Sequence, residues 1–258
     1  PIYVLAGAHV TSGQTAFYAG VRTIEDQVAV YKCLARDFPA LRNEMAGLRV
    51  LAVQGGNLPG VITRNKPVAS MEDLKGLRLR VPEELVAVLK RAGADPVSMP
   101  MGEVYPAMAK GVVDGVIVSP DTLKALHFSE VAKYYSDLHA PRGAYPARAI
   151  SEASFRRLPP DLQQVLIDSE PVWEAAIARS VTKAAEGGLK WGRQEKMTFV
   201  TATPEAQKAF DDFYIATTAR EAHRLDAYGV DGEAMLAHAQ RLIGEARAGK
   251  AIACGGPP

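Results

Sequence analysis

The first apolar rhythm along the chain is helical. Ile24, Val28, Tyr31 and Leu34–Ala35 recur at three- and four-residue spacing behind Thr23-Ile24-Glu25-Asp26, a capping-box pattern with Thr23 at the N-cap. Pro39 ends this predicted helix, and Leu41 to Met45 adds a short helical turn. The rhythm then changes. Leu48-Arg49-Val50-Leu51-Ala52-Val53 is short, β-branched and largely apolar, a buried strand broken by Gly55-Gly56-Asn57-Leu58-Pro59-Gly60. Ser70-Met71-Glu72-Asp73 is a second capping box with room for one helical turn before Gly76. Leu77-Arg78-Leu79-Arg80-Val81 alternates strictly, so it predicts a strand with both arginines on one face. Pro82 opens a helix over Glu83 to Ala92. Asp95 to Met99 predicts a strand, Gly102 to Lys110 a helix, and Val112 to Val118 a turn followed by a buried strand. Strand and helix alternate here as in a wound α/β layer.

The second half is mostly helical. Asp137 to Ile150 carries prolines and glycines around one extended segment, Ala147 to Ile150, and Ser151 caps a short helix through Phe155. From Asp161 the helical period persists through Leu162, Val165, Val172, Ile177 and Val181 towards Glu195. About 35 residues at 1.5 Å each make a helix of about 50 Å, long enough to cross a domain boundary, with Pro171 or Gly187-Gly188 as the points where it would kink or break. Met197 to Thr201 predicts a strand, and helices follow over Pro204 to Tyr228 and Asp231 to Ala248.

Composition narrows the function classes. Of 258 residues, 48% are apolar and 23% charged, and 30 Lys+Arg against 29 Asp+Glu leave a formal charge of +1. That balance fits a folded globular chain and argues against nucleic-acid binding, which calls for a basic excess or stripe. No apolar run reaches the roughly 18–20 residues that span a bilayer. Enzyme signatures are missing as well. The five histidines form no H-E-x-x-H, and neither a G-x-S-x-G nor a G-x-G-x-x-G after a strand occurs. No cofactor is implied. Asp114, between Gly111 and Gly115, reads as a turn residue whose carboxylate accepts backbone N–H bonds. The two cysteines fit neither a zinc site nor a C-x-x-C motif. They read as a buried thiol, Cys33, and a loose tail thiol, Cys254. A disulfide between them requires the tail to fold back onto the first helix.

One constellation carries chemistry. Asp73-Leu74-Lys75-Gly76-Leu77-Arg78-Leu79-Arg80-Val81 is followed by Ala92-Gly93-Ala94-Asp95-Pro96-Val97-Ser98-Met99, then Glu103-Val104-Tyr105-Pro106-Ala107-Met108, then Gly111-Val112-Val113-Asp114-Gly115. Four motifs in this order resemble the DctP-type solute-binding proteins of TRAP (tripartite ATP-independent periplasmic) transporters. Leu158-Pro159-Pro160-Asp161-Leu162-Gln163 extends the likeness, which covers the chain from about residue 20 onward. The resemblance implies an α/β, two-domain periplasmic-binding-protein-like fold, with a ligand cleft between domains and a long domain-spanning helix. Domain one would comprise residues 1–57 and 146–185, and domain two residues 58–145 and 186–258. It also implies a periplasmic location, a small organic acid as ligand, an integral membrane transporter as partner, and a monomer or homodimer.

In that family the second arginine of the strand clamps the ligand carboxylate, and it falls on Arg80. A guanidinium at a strand end offers a rigid donor fork matched to a carboxylate. Arg78 is left as a structural or solvated residue. The departures from the family pattern are informative. Where Q-E-N-P follows V-D-G in the family, this chain reads Val116-Ile117-Val118-Ser119, and Met101 replaces an aromatic after M-P. The clamp persists while several polar partners become apolar, which predicts a monocarboxylate with an apolar or aromatic body. Met101, Val118 and Ser119 would line its pocket. Asn57 in the glycine-rich break and Tyr145 near the second interdomain crossing are further candidates. The same fold acting as the input module of a sensory system is the alternative reading, with an α/β enzyme of unrecognised catalytic residues behind it. Against the family, the chain looks to begin partway through domain one, without the first β-α-β segment and signal peptide.

Overall fold

The computed structural model describes residues 7–254. Its strands are β1 (Leu48–Gln54), β2 (Gly60–Thr63), β3 (Arg78–Arg80), β4 (Asp95–Val97), β5 (Gly115–Val118), β6 (Tyr134–Ser136), β7 (Tyr145–Ser151) and β8 (Thr198–Val200). The helices are α1 (His9–Gly13), α2 (Ile24–Asp37), α3 (Pro39–Asn43), α4 (Glu83–Arg91), α5 (Met101–Ala109), α6 (Thr122–Ala125), α7 (Phe128–Val131), α8 (Glu152–Arg156), α9 (Pro160–Gln194), α10 (Pro204–Glu221) and α11 (Gly232–Arg247). The described chain divides into two units. The first holds residues 7–56, 142–180 and 219–254, and the second holds 57–141 and 181–218.

In the first unit β1 pairs antiparallel with β7, Leu48 opposite Ser151 and Gln54 opposite Tyr145. Helix α2 begins as the capping box requires, with the Asp26 N–H donating to Thr23 Oγ1 at 3.0 Å. It buries Val30, Tyr31, Cys33 and Leu34. The Gln27 carboxamide holds the end of β1 by pairing with both backbone groups of Gly56, at 2.7 and 2.9 Å. Ser151 stands at the N-cap of α8 but makes no side-chain capping bond, so the expected cap there is absent.

Two expectations for this unit are corrected. Cys33 and Cys254 form a disulfide, so they are not a buried thiol and a loose tail thiol. The tail does fold back, because α11 packs its buried face, including Met235, Ala239 and Leu242, towards α2 and brings the chain beyond it alongside Cys33. For the same reason residues 219–254 belong to the first unit, whereas the sequence assigned all of 186–258 to the second domain. An amphipathic pattern marks the face a helix buries and says nothing of which sheet or helix receives it.

The second unit is built on a six-stranded sheet in the order β4-β3-β5-β2-β6-β8. Pairings β3/β4, β3/β5 and β6/β8 are parallel, and β2 is antiparallel to both neighbours. Five strands therefore point the same way. Beside the sheet, Ile62, Val104, Met108, Val116, Leu123 and Phe128 form the centre of a fully buried apolar cluster. Helix α9 starts in the first unit and ends in the second. Neither Pro171 nor Gly187-Gly188 interrupts its run. Gly188 serves close packing instead: a Cβ there would stand 2.1 Å from the Pro120 carbonyl oxygen, so only glycine lets the helix approach the loop after β5.

Candidate functional site

The geometry of a binding site follows from strand order within the second unit. From β3 the chain passes through α4 to β4 on one side, then through α5 back across β3 to β5 on the other. Crossovers of one hand in opposite directions put α4 and α5 on opposite faces of the sheet. The carboxyl ends of β3 and β5 are therefore the switch point of the sheet, the place at which open α/β sheets bind ligands.

Four of the sequence-predicted residues stand at this edge. Arg80 is the last residue of β3, opposite Val97 of β4 and Val116 of β5. It is half-buried, and its Nε donates to the Met99 carbonyl oxygen at 3.2 Å. Burial holds its pKa below the ordinary arginine value, partly offset by the nearby charge of Glu84 on α4. The guanidinium still remains charged across the physiological range. Among the described residues no carboxylate pairs with it. Met101 is the first residue of α5, and Val118 is the last of β5. Both are partly buried against the apolar cluster. Ser119 follows, and its hydroxyl is taken by the Asp121 carboxylate while its carbonyl accepts from Thr122 Oγ1 at 2.7 Å.

The other two candidates are placed differently. Asn57 lies in the loop entering β2 at the same edge, but its Nδ2 donates to the Val181 carbonyl of α9 at 2.7 Å. Tyr145 belongs to the first unit, buried at the start of β7. Arg78, two residues before Arg80, faces Asp95 across 3.6 Å in an exposed pair. Tyr135 was not singled out by the sequence. It lies on β6 within the same apolar cluster as Val116, and a Cβ on Gly60 would stand 2.7 Å from its hydroxyl oxygen. The aromatic pair Tyr134-Tyr135 was the signal available, in a strand of three residues, too short for alternation to show.

Among the described residues no group of three or more His, Cys, Asp or Glu side chains is arranged to hold a metal. No described helix is long and apolar enough to cross a membrane.

A family model for bacterial extracellular solute-binding proteins, family 7 (DctP), matches residues 23–222. The chain belongs to this family. A solute-binding protein of Albidiferax ferrireducens is 36% identical over 113 residues, covering 42% of this chain and 33% of the relative. The 2,3-diketo-L-gulonate-binding periplasmic protein YiaO of Escherichia coli is 32% identical over 128 residues, covering 49% of this chain and 39% of the relative. The chain thus matches well under half the length of these curated relatives. Among solved structures, a TRAP periplasmic solute-binding protein of Desulfovibrio salexigens superposes with a TM-score of 0.78 at 25% identity, covering 96% of this chain and 78% of that one. Another from Rhodoferax ferrireducens, with bound malonate, gives 0.69 at 25% identity and covers 83% and 66%. The DctP family fold is therefore the two-domain α/β architecture with a long helix that the sequence implied.

Proposed function

We propose that this DctP-family chain captures a small organic acid in the periplasm and presents it to an integral membrane TRAP transporter. The observation that carries the reading is Arg80, a half-buried cation at the carboxyl end of β3 with no carboxylate partner among the described residues. A cation drawn partly out of water gains from an anion beside it: Glu84 acts on Arg80 without forming an ion pair, and a ligand carboxylate would match the donor fork. Family membership and the disulfide support the location, since disulfides persist in oxidising compartments such as the periplasm. Small carboxylates also fit the relatives: one is named for 2,3-diketo-L-gulonate and another holds malonate.

The body of the ligand is read from the apolar wall. Met99, Met101 and Val118 pack partly buried against the apolar cluster, Met99 also giving its carbonyl to Arg80 Nε, and the Ser119 hydroxyl is spent on Asp121. This favours an aromatic or branched monocarboxylate over a sugar acid. Methionine adapts its shape to such a body. Thermal-shift measurements over benzoate, branched-chain monocarboxylates, C4-dicarboxylates and sialic acid test the reading. Stabilisation by the apolar monocarboxylates is expected. Strong stabilisation by sialic acid or a C4-dicarboxylate, with none by the monocarboxylates, would sink it.

A further inference from the structure

The strand register places one row of side chains on a single face of the second unit's sheet. Arg80 pairs with Val116, Val116 with Ile62, and Ile62 with Tyr135. Residues two apart share a face, so Gly60 and its partner Val118 belong to the same row, at the carboxyl edge. At Gly60 the row lacks a side chain. A Cβ there would stand 2.7 Å from Tyr135 Oη, so the phenol tip lies against Gly60, beside Val118. Tyr135 also borders a cavity of about 250 Å³ with Asp137, His139, Arg193 and Phe199, on the β6–β8 side of the sheet, whose lining does not include Arg80, Val118 or Met101. Burial, reinforced by the Asp137 charge, pushes its pKa up, and the hydroxyl stays protonated at neutral pH.

We propose that Tyr135 is a specificity-determining residue, its hydroxyl hydrogen-bonding a polar substituent on the ligand while the ligand carboxylate sits at Arg80. The inference rests on the carboxylate-clamp reading above and names the substrate class more narrowly: aromatic monocarboxylates bearing one hydroxyl on the ring. Arg80 and Gly60 lie two strands apart and two residues out of register, so their backbones stand about 12 Å apart. A benzoate with a hydroxyl meta or para to its carboxylate, with a hydrogen bond of about 2.8 Å at each end, fills such a span. Val118, Met99 and Met101, packed against the apolar cluster beside this row, offer only apolar surface or sulfur. Tyr135 is thus the polar point that a ring substituent would meet.

Isothermal titration of wild type and Tyr135→Phe with benzoate, 3-hydroxybenzoate and 4-hydroxybenzoate tests the proposal. One of the hydroxybenzoates should bind wild type about 3- to 10-fold more tightly than benzoate, as one neutral hydrogen bond allows. Tyr135→Phe should erase that preference and leave benzoate affinity unchanged. Retention of the preference in Tyr135→Phe overturns the role of Tyr135 and leaves the Arg80 reading intact. So does equal binding of all three acids by wild type, a comparison that decides the matter even if the variant fails to fold. If wild type binds none of the three, the monocarboxylate reading falls and Tyr135's role falls with it.

Discussion

Asp114 and Arg78 hold each other by two backbone-centred bonds: Asp114 Oδ2 accepts the Arg78 N–H at 2.8 Å, and the Asp114 N–H donates to the Arg78 carbonyl at 2.7 Å. The pair fixes where β5 begins relative to β3, and so where Val118 ends up relative to Arg80. Asp114→Ala removes the carboxylate acceptor and keeps the backbone bond. The loss of one charge-assisted bond should lower stability by about 1–2 kcal/mol, a fall in Tm of about 2–8 °C. Differential scanning calorimetry measures this, and an unchanged Tm would show that water replaces the carboxylate at no loss.

The adjacent glycines of α9 should respond oppositely to the same change. Nothing lies within 4 Å of a Cβ on Gly187, whereas one on Gly188 would meet Pro120. Gly187→Ala should stabilise by up to about 1 kcal/mol through helix propensity. Gly188→Ala should destabilise by about 1–3 kcal/mol through overpacking. Urea denaturation of the two variants reads the contrast, and similar effects of the same sign would refute the close approach.

The Cys33–Cys254 disulfide closes a separation of 221 residues. Removing a native disulfide typically lowers stability by about 2–5 kcal/mol. Dithiothreitol should therefore lower the Tm of wild type and leave that of Cys33→Ser/Cys254→Ser unchanged. Thiol titration of the unfolded, unreduced protein should find no free thiol. Two free thiols in protein exported to an oxidising compartment would contradict the pairing.

Asp73 predicts a pH dependence. Burial pushes its carboxyl pKa up, but the N–H groups of Ala69 and Ser70, the Ser70 hydroxyl and the Lys66 charge outweigh it and hold the pKa below the ordinary value. A depressed carboxyl pKa contributes stability that is complete above the unfolded-state value, about 3.9, and is lost as pH falls through the lower folded value. Asp73→Asn should thus reduce stability at neutral pH and flatten its decline at acid pH. Parallel stability curves for wild type and variant would exclude this contribution.

The sequence made the β3-α4-β4-α5-β5 run legible because each element there has a clean period and a Gly or Pro boundary. Arg80, Met101, Val118 and Ser119 were singled out by the family resemblance, whose motifs fall in this run, and they stand at or beside strand and helix ends there. Strands β2 and β6, of four and three residues, are too short for alternation to register. With them went Tyr135 and the role of Gly60, which depend on pairing between strands far apart in the chain. The pairing of Cys33 with Cys254 and the return of α11 to the first unit are likewise tertiary facts, since composition marks a buried face but not its partner. Asn57 was singled out for its amide, and that amide is held by the Val181 carbonyl.

In the function proposed above, Arg80 clamps the ligand carboxylate. Isothermal titration of wild type, Arg80→Lys and Arg80→Ala with benzoate, the hydroxybenzoates and malonate tests it most directly. Two charge-assisted hydrogen bonds, each worth roughly 1.5–3 kcal/mol, imply that any acid bound by wild type should lose at least about 100-fold in affinity to Arg80→Ala. Arg80→Lys should fall between the two, because an ammonium keeps the charge and loses the fork. An Arg80→Ala protein that melts like wild type and binds the same acid with unchanged Kd would contradict the account.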